Sequence, residues 1–179
     1  YPVRLESDLE SFLSGIDVQM ANRGVSGETG QAAAERIKLE VADLKPDLVV
    51  WQVGTNDAMA RIGEGEFAEM LRSTLRWLAD NRVDVVLIDP QYVERLAKDE
   101  HYIAIVKKIA DVAKEARVLH VHRFDAMADL AKRRGNGAYL AQDHFHLNDL
   151  GYRCMAEFAA RAIASGILQA ETEQQPNSN

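Results

Sequence analysis

Pro46-Asp47-Leu48-Val49-Val50-Trp51-Gln52-Val53 is a near-continuous apolar run, and it ends in Gly54-Thr55-Asn56-Asp57. A strand with one face in water alternates polar and apolar residues. A strand covered on both faces has no need to, and parallel sheets clad in helices are built from such strands. The run therefore predicts a buried parallel strand. Its polar tetrapeptide falls at the carboxyl end, where open α/β sheets bind their ligands. Val83-Asp84-Val85-Val86-Leu87-Ile88, stopped by Asp89-Pro90, reads the same way, as does Val118-Leu119-His120-Val121-His122. A shorter, partly alternating run, Ile16 to Met20, is also expected to be a strand.

Between these runs the apolar spacing changes to that of helices. Residues 3–14 place Leu5, Leu9, Phe12 and Leu13 on one side. Helices are expected from about Gln31 to Leu44, Glu66 to Asp80, Ile103 to Ala116, Asp125 to Arg133 and Leu150 to Ala164. Pro46 marks an exit, because proline cannot continue a helix. Residues 91–100 read as a polar connection. Alternating strands and helices define an α/β class with a mostly parallel sheet covered by helices. A single domain is expected over residues 1–167, followed by a polar, flexible tail over 168–179, rich in Glu, Gln and Asn.

Composition narrows the function classes. The chain has 179 residues, 47% of them hydrophobic, which suits one domain with a sizeable core. The net charge of −7, with Lys and Arg scattered among acids, argues against nucleic acid as a partner. No run of eighteen apolar residues predicts a transmembrane segment. Cys154 is the only cysteine, so neither an internal disulfide nor a cysteine-based zinc cluster is available. It falls in an apolar helical pattern and reads as a small core residue.

Three polar loops carry the chemistry. In Asp143-His144-Phe145-His146-Leu147-Asn148-Asp149-Leu150-Gly151-Tyr152, an aspartate stands three residues before a histidine, just ahead of a helix. A histidine takes a proton on one ring nitrogen only if the other is held, and a carboxylate supplies that partner. Asn22-Arg23-Gly24-Val25-Ser26-Gly27-Glu28-Thr29-Gly30 reads as a turn into a helix, with Ser26 or Thr29 as its cap. Without a side chain, Gly27 can bring its N–H close to a substrate oxygen near a helix start, where negative charge is favoured. Asn56 can donate a second hydrogen bond from its amide. An acid–base pair and two donors are what ester hydrolysis through a developing oxyanion requires. Each residue alone also has a plain structural reading: a surface loop for Asp143 and His146, a turn glycine, an Asx turn. Asp57 and Glu28 read as turn or cap groups. His120 and His122 alternate on a strand and are expected to pack or hydrogen-bond. The five histidines show no metal-site spacing, and no cofactor is implied. Gln91 and Tyr92 are placed by position beside an acyl pocket.

Taken in order, these blocks resemble those of the SGNH (GDSL-type) hydrolases, serine esterases and lipases with a flavodoxin-like three-layer fold. Asn22 to Thr29 resembles the second block, whose glycine lends an oxyanion N–H; here that is Gly27. Gly54-Thr55-Asn56-Asp57 is similar to the third, G-x-N-D, whose asparagine is the other donor; here Asn56. Asp143 to Tyr152 resembles the fifth, D-x-x-H-P-N-x-x-G-Y, with Leu147 in place of proline. The resemblance implies His146 as general base and Asp143 as the acid that orients it.

The family's first block, G-D-S, holds the nucleophilic serine after the first, central strand of the sheet, and nothing in the sequence matches it. Tyr1 to Leu5 resembles the residues just downstream of that block. The expectation is a nucleophile upstream of Tyr1, in a natural protein of which this numbering begins partway. Ser7, Ser11, Ser14, Ser26, Ser73 and Ser165 do not follow a strand in a sharp elbow; Ser26 is the first substitute to test. The implied activity is carboxylic-ester hydrolysis through an acyl-enzyme, on a small acyl ester or an O-acetylated carbohydrate. The alternative is a relative without the nucleophile, working as a carbohydrate- or partner-binding domain.

Overall fold

The computed structural model describes residues 1–135 and 137–174, with side chains described to residue 169. Along the chain the elements are α1 (Pro2–Phe12), α2 (Gly30–Leu44), β1 (Leu48–Gln52), α3 (Thr55–Met59), α4 (Glu64–Asp80), β2 (Asp84–Ile88), α5 (Glu100–Ala116), β3 (Leu119–Val121), α6 (Arg123–Arg134) and α7 (Asp149–Gln174). They fall into two compact units. One is Val25–Arg134; the other joins Tyr1–Gly24 to the chain from Gly135 onward.

The Val25–Arg134 unit holds the sheet. Among the described residues it has three strands in the order β1-β2-β3, all parallel. Val50 lies opposite Val86, and Val86 opposite Leu119. This is the α/β architecture that the three apolar runs predict. Period two along β2 sends Val85 and Leu87 into one core with Trp51, Val53, Phe67, Leu71, Ile105 and Ile109. Val86 and Ile88 point to the opposite face and are buried as well. β2 is thus covered on both faces, as its unbroken hydrophobicity implies. β1 is the edge of the described sheet, and its Leu48, Val49 and Val50 are only half-buried.

The helices follow their apolar spacing. In α4, Phe67, Leu71, Thr74, Leu75 and Leu78 are all buried. Truncating Leu71 or Leu78 to alanine would cost about 2–5 kcal/mol. Helix α5 starts at Glu100, earlier than expected, because Asp99 caps it by accepting from the N–H groups of His101 and Tyr102 at 3.0 and 3.4 Å. The five-residue α3, directly after β1, is too short to show a period and was not anticipated.

In the other unit, α1 packs on α7. Leu5 and Leu9 are buried on the first helix, and Ala156, Ala159, Ala160 and Ile163 on the second. The Arg161 guanidinium lies 4.9 Å over the Phe12 ring. Helix α7 continues to Gln174, past the expected end at Ala164. Gly166 weakens the helix without ending it, and most residues from Leu168 to Gln174 favour helix; the remainder of the predicted tail falls outside the described residues.

The strand expected at Ile16–Met20 does not form. A strand needs a neighbour for its backbone groups. Here the Met20 N–H donates instead to the Glu6 carboxylate at 2.8 Å, and Ile16 is exposed. No helix among the described residues is long and apolar enough to cross a membrane.

Candidate active site

Asp143 and His146 meet as their spacing implies. Asp143 Oδ2 lies 2.6 Å from His146 Nδ1. Its other oxygen, Oδ1, accepts the N–H groups of Phe145 and His146, each at 3.0 Å. The carboxylate therefore closes its own loop and grips the imidazole at once. Those bonds favour the ionised form: the His146 contact first, then the two backbone donors, hold Asp143 down to about 2. With Nδ1 facing a carboxylate, the neutral ring carries its proton there and keeps the lone pair on Nε2. Both side chains are well exposed, and the Phe145 ring stands edge-on to the imidazole at 4.9 Å. His144 takes the left-handed turn position, with φ of 54°.

Asn148 holds this loop in place, a role the sequence reading did not assign. Its amide donates to the carbonyls of Ala138 and Leu140 at 3.1 and 3.2 Å. Its oxygen accepts the Gly151 N–H at 2.9 Å, capping α7 at its third residue. Leu140 and Leu147 form an antiparallel bridge across the loop. Gly151 is glycine for want of space: a Cβ there would strike the Tyr139 carbonyl and Leu147. The Asn and Gly of the D-x-x-H-x-N-x-x-G pattern were the available signal.

Gly27 and Asn56 belong to the Val25–Arg134 unit, and they lie close to each other. The Asn56 amide donates to the carbonyl of Glu28, the residue after Gly27, at 2.8 Å. The amide carries a second N–H hydrogen, a further donor. Gly27 occupies a turn with φ of +78°, and a Cβ there would meet nothing. It is three residues short of α2, not at the helix start as expected. The cap of α2 also differs. Thr29 stands at the N-cap position without a side-chain bond, and Asp57 accepts the Gly30 N–H at 2.8 Å from across the unit. Asp57 is buried, and burial raises its pKa against the backbone donors of Gly30, Asp57 and Gly54. Glu28 pairs with Arg36 at 2.6 Å rather than capping. Gly54 makes the turn from β1 into α3 possible: its φ is +102°, and a Cβ would come within 2.7 Å of Ile109.

The remaining candidates divide. Gln91 is buried, and its carbonyl accepts the Tyr102 hydroxyl at 2.7 Å. Burial pushes that phenol up to about 12. Tyr92 stands edge-on to Phe124 at 5.4 Å. Both pack into their own unit. Cys154 is half-buried on α7. Ser7 and Ser11 lie on α1, Ser165 on α7, and Ser73 on α4, where its hydroxyl donates to the Met70 carbonyl. Ser26 shares the turn with Gly27, and among the described residues no serine follows a strand. His120 does hydrogen-bond, to Asp89 at 3.1 Å, and the His122 ring lies tilted beside it at a centroid distance of 4.0 Å.

The chain is of the class of esterase- and lipase-like hydrolases of SGNH/GDSL type. The chain belongs to the non-GDSL lipase-like family, whose profile matches residues 1–169. It is 25% identical over 171 residues to an acetylxylan esterase from Geobacillus stearothermophilus, spanning 87% of this chain and 76% of that one. A solved lipase/acylhydrolase from Enterococcus faecalis superposes with a TM-score of 0.77 at 25% identity, over 91% of this chain and 84% of that one. LAE5, an alpha/beta hydrolase enzyme from the metagenome of Lake Arreo, gives 0.79 at 23%, over 93% and 81%. Solved catalytic mutants of the Geobacillus esterase replace a serine, an aspartate and a histidine by alanine, the aspartate three positions ahead of the histidine.

Proposed function

We propose that the protein is a serine esterase that works through an acyl-enzyme and removes acetyl groups from carbohydrate. One observation carries the reading: the 2.6 Å contact between Asp143 and His146 Nδ1, made by an otherwise exposed pair. A fully exposed carboxylate–imidazole contact adds little to stability, whereas it fixes the tautomer a general base needs.

In this reading a serine hydroxyl attacks the ester carbonyl. His146 Nε2 takes its proton and passes it to the leaving alcohol. Water then attacks the acyl-enzyme by the same route in reverse. Asp143 holds the ring and steadies the imidazolium. The Gly27 N–H and the free hydrogen of the Asn56 amide stabilise the oxyanion. In this reading the nucleophile is the serine of the G-D-S block that the family resemblance implies upstream of Tyr1; among the described residues no serine follows a strand. The Asp–His spacing shared with the catalytic mutants of the Geobacillus esterase supports the dyad assignment, and that relative's acetylxylan substrate supports the carbohydrate.

The test is intact mass of the natural protein after treatment with a fluorophosphonate, with acetate release from acetylated xylo-oligosaccharide measured in parallel. A single adduct on an upstream serine, together with acetate release, is the expected result. No adduct would remove the acyl-enzyme mechanism. An adduct without acetate release would keep the esterase and discard the substrate.

A further inference from the structure

Asp89, His120 and His122 form a second cluster, at the carboxyl ends of neighbouring strands. Asp89 directly follows β2, His120 is the middle residue of β3, and His122 comes just after it. Period two along β3 puts both imidazoles on one side of the sheet. One ligand atom from each residue lies within 4.8 Å of the other two. We propose that these three side chains bind a zinc-class divalent metal ion.

The geometry suits such an ion. Zinc–ligand bonds of about 2.0–2.1 Å in a tetrahedron put neighbouring donor atoms about 3.3–3.4 Å apart. Asp89 Oδ2 and His120 Nε2 are already 3.1 Å apart. Both are held: Asp89 Oδ1 accepts the Phe124 N–H at 2.8 Å, and the His120 side chain is 7% exposed. Only His122 has to move, and its side chain is 57% exposed, with its ring beside His120 at a centroid distance of 4.0 Å. Asp125 Oδ2 sits 4.0 Å from His122 Nδ1, placed to steady that ring. Binding puts the metal where the Asp89–His120 proton lies; the neutral His120 then carries its proton on Nδ1. Two imidazoles and one carboxylate suit zinc or its neighbours in the first transition row. Magnesium and calcium prefer oxygen ligands throughout.

The test is calorimetric titration of the chelator-stripped protein with ZnCl2, and with MgCl2 as comparison. One equivalent of zinc should bind and raise the melting temperature. His122→Ala, an exposed change that leaves the fold alone, should weaken that binding at least about tenfold. His146→Ala should leave it unchanged, which excludes the Asp143–His146 loop as the zinc site. The proposal falls if His122→Ala binds zinc like the parent, if His146→Ala abolishes binding, or if magnesium binds equally well. None of these readouts depends on esterase activity.

Discussion

Among the described residues, two aspartate–histidine pairs lie in hydrogen-bond contact, and they differ in almost every respect except chemistry. Asp143–His146 is local, three residues apart, tight at 2.6 Å and exposed at 49% and 61% of the side chain. Asp89–His120 spans 31 residues, is looser at 3.1 Å, and is 1% and 7% exposed. An exposed pair is open to exchange protons with substrate and water, the role proposed for it. A buried pair exchanges little, and its bond keeps a carboxylate from being stranded without partners. The same two residue types therefore meet opposite surroundings according to where the backbone delivers them.

The largest expected effect comes from removing each histidine in turn. His146→Ala should lower ester hydrolysis by about 10²–10⁴-fold, the usual contribution of a positioned acid–base group, and leave the melting temperature within error. His120→Ala should do the reverse. It strands a buried carboxylate that keeps only its bond from Phe124 N–H, and about 1–3 kcal/mol of stability should go with it. Steady-state kinetics and urea titration on both variants decide the matter. If His120→Ala lost activity at full stability, the division of roles would collapse.

Next in size is Asn56→Ala. Loss of one oxyanion donor lowers kcat by about 10²–10³-fold where such donors act in the transition state. The Asn56 amide also donates to the Glu28 carbonyl, so a stability loss of about 1 kcal/mol should accompany it. A stability loss with unchanged kcat would reduce Asn56 to a brace for the Gly27 turn.

The contrast between the pairs also explains what the sequence could and could not reveal. The dyad was legible because both partners sit on one loop, and i to i+3 spacing survives in the linear text. Strands β1, β2 and β3 were legible because a run such as Val85-Val86-Leu87-Ile88 leaves no polar face for water. The Asp89–His120 contact was not: it depends on β2 and β3 being neighbours in register, with Ile88 opposite Val121. The cap of α2 was missed for the same reason, since Asp57 reaches Gly30 from 27 residues away. Ile16–Met20 misled in the other direction. Its alternation fits a strand, but strands exist only where a neighbour takes their hydrogen bonds, and periodicity does not report on neighbours.

Asn148 tests how far the exposed pair depends on what lies beneath it. Asn148→Ala removes the cap of α7 and both bonds to the Ala138 and Leu140 carbonyls. A cap loss alone costs about 1 kcal/mol. If Asn148 positions the loop, kcat should fall while KM stays put, and Asn148→Asp, which keeps the cap but not the amide donors, should restore stability more than rate. Equal recovery of both would make Asn148 a cap and nothing more.

The smallest effect is the most direct reading of the dyad itself. Asp143 is held near 2 by His146 and two backbone N–H groups, against an ordinary value of 3.8. A carboxylate depressed on folding contributes stability that is fully present above its unfolded value and is lost as pH falls through the folded one. The contribution should thus be intact at neutral pH and fade between about 4 and 2; at so exposed a site it will be slight. The carboxyl carbon of Asp143, followed by NMR during acid titration, should show its midpoint near 2. In His146→Ala the largest of the three causes is gone, and the midpoint should move up toward 3.8. A parent midpoint already near 4 would mean that the imidazole does not rest on the carboxylate in solution. The tautomer argument for His146 as base would then lose its footing, while the buried pair at Asp89 and His120 would stand unaffected.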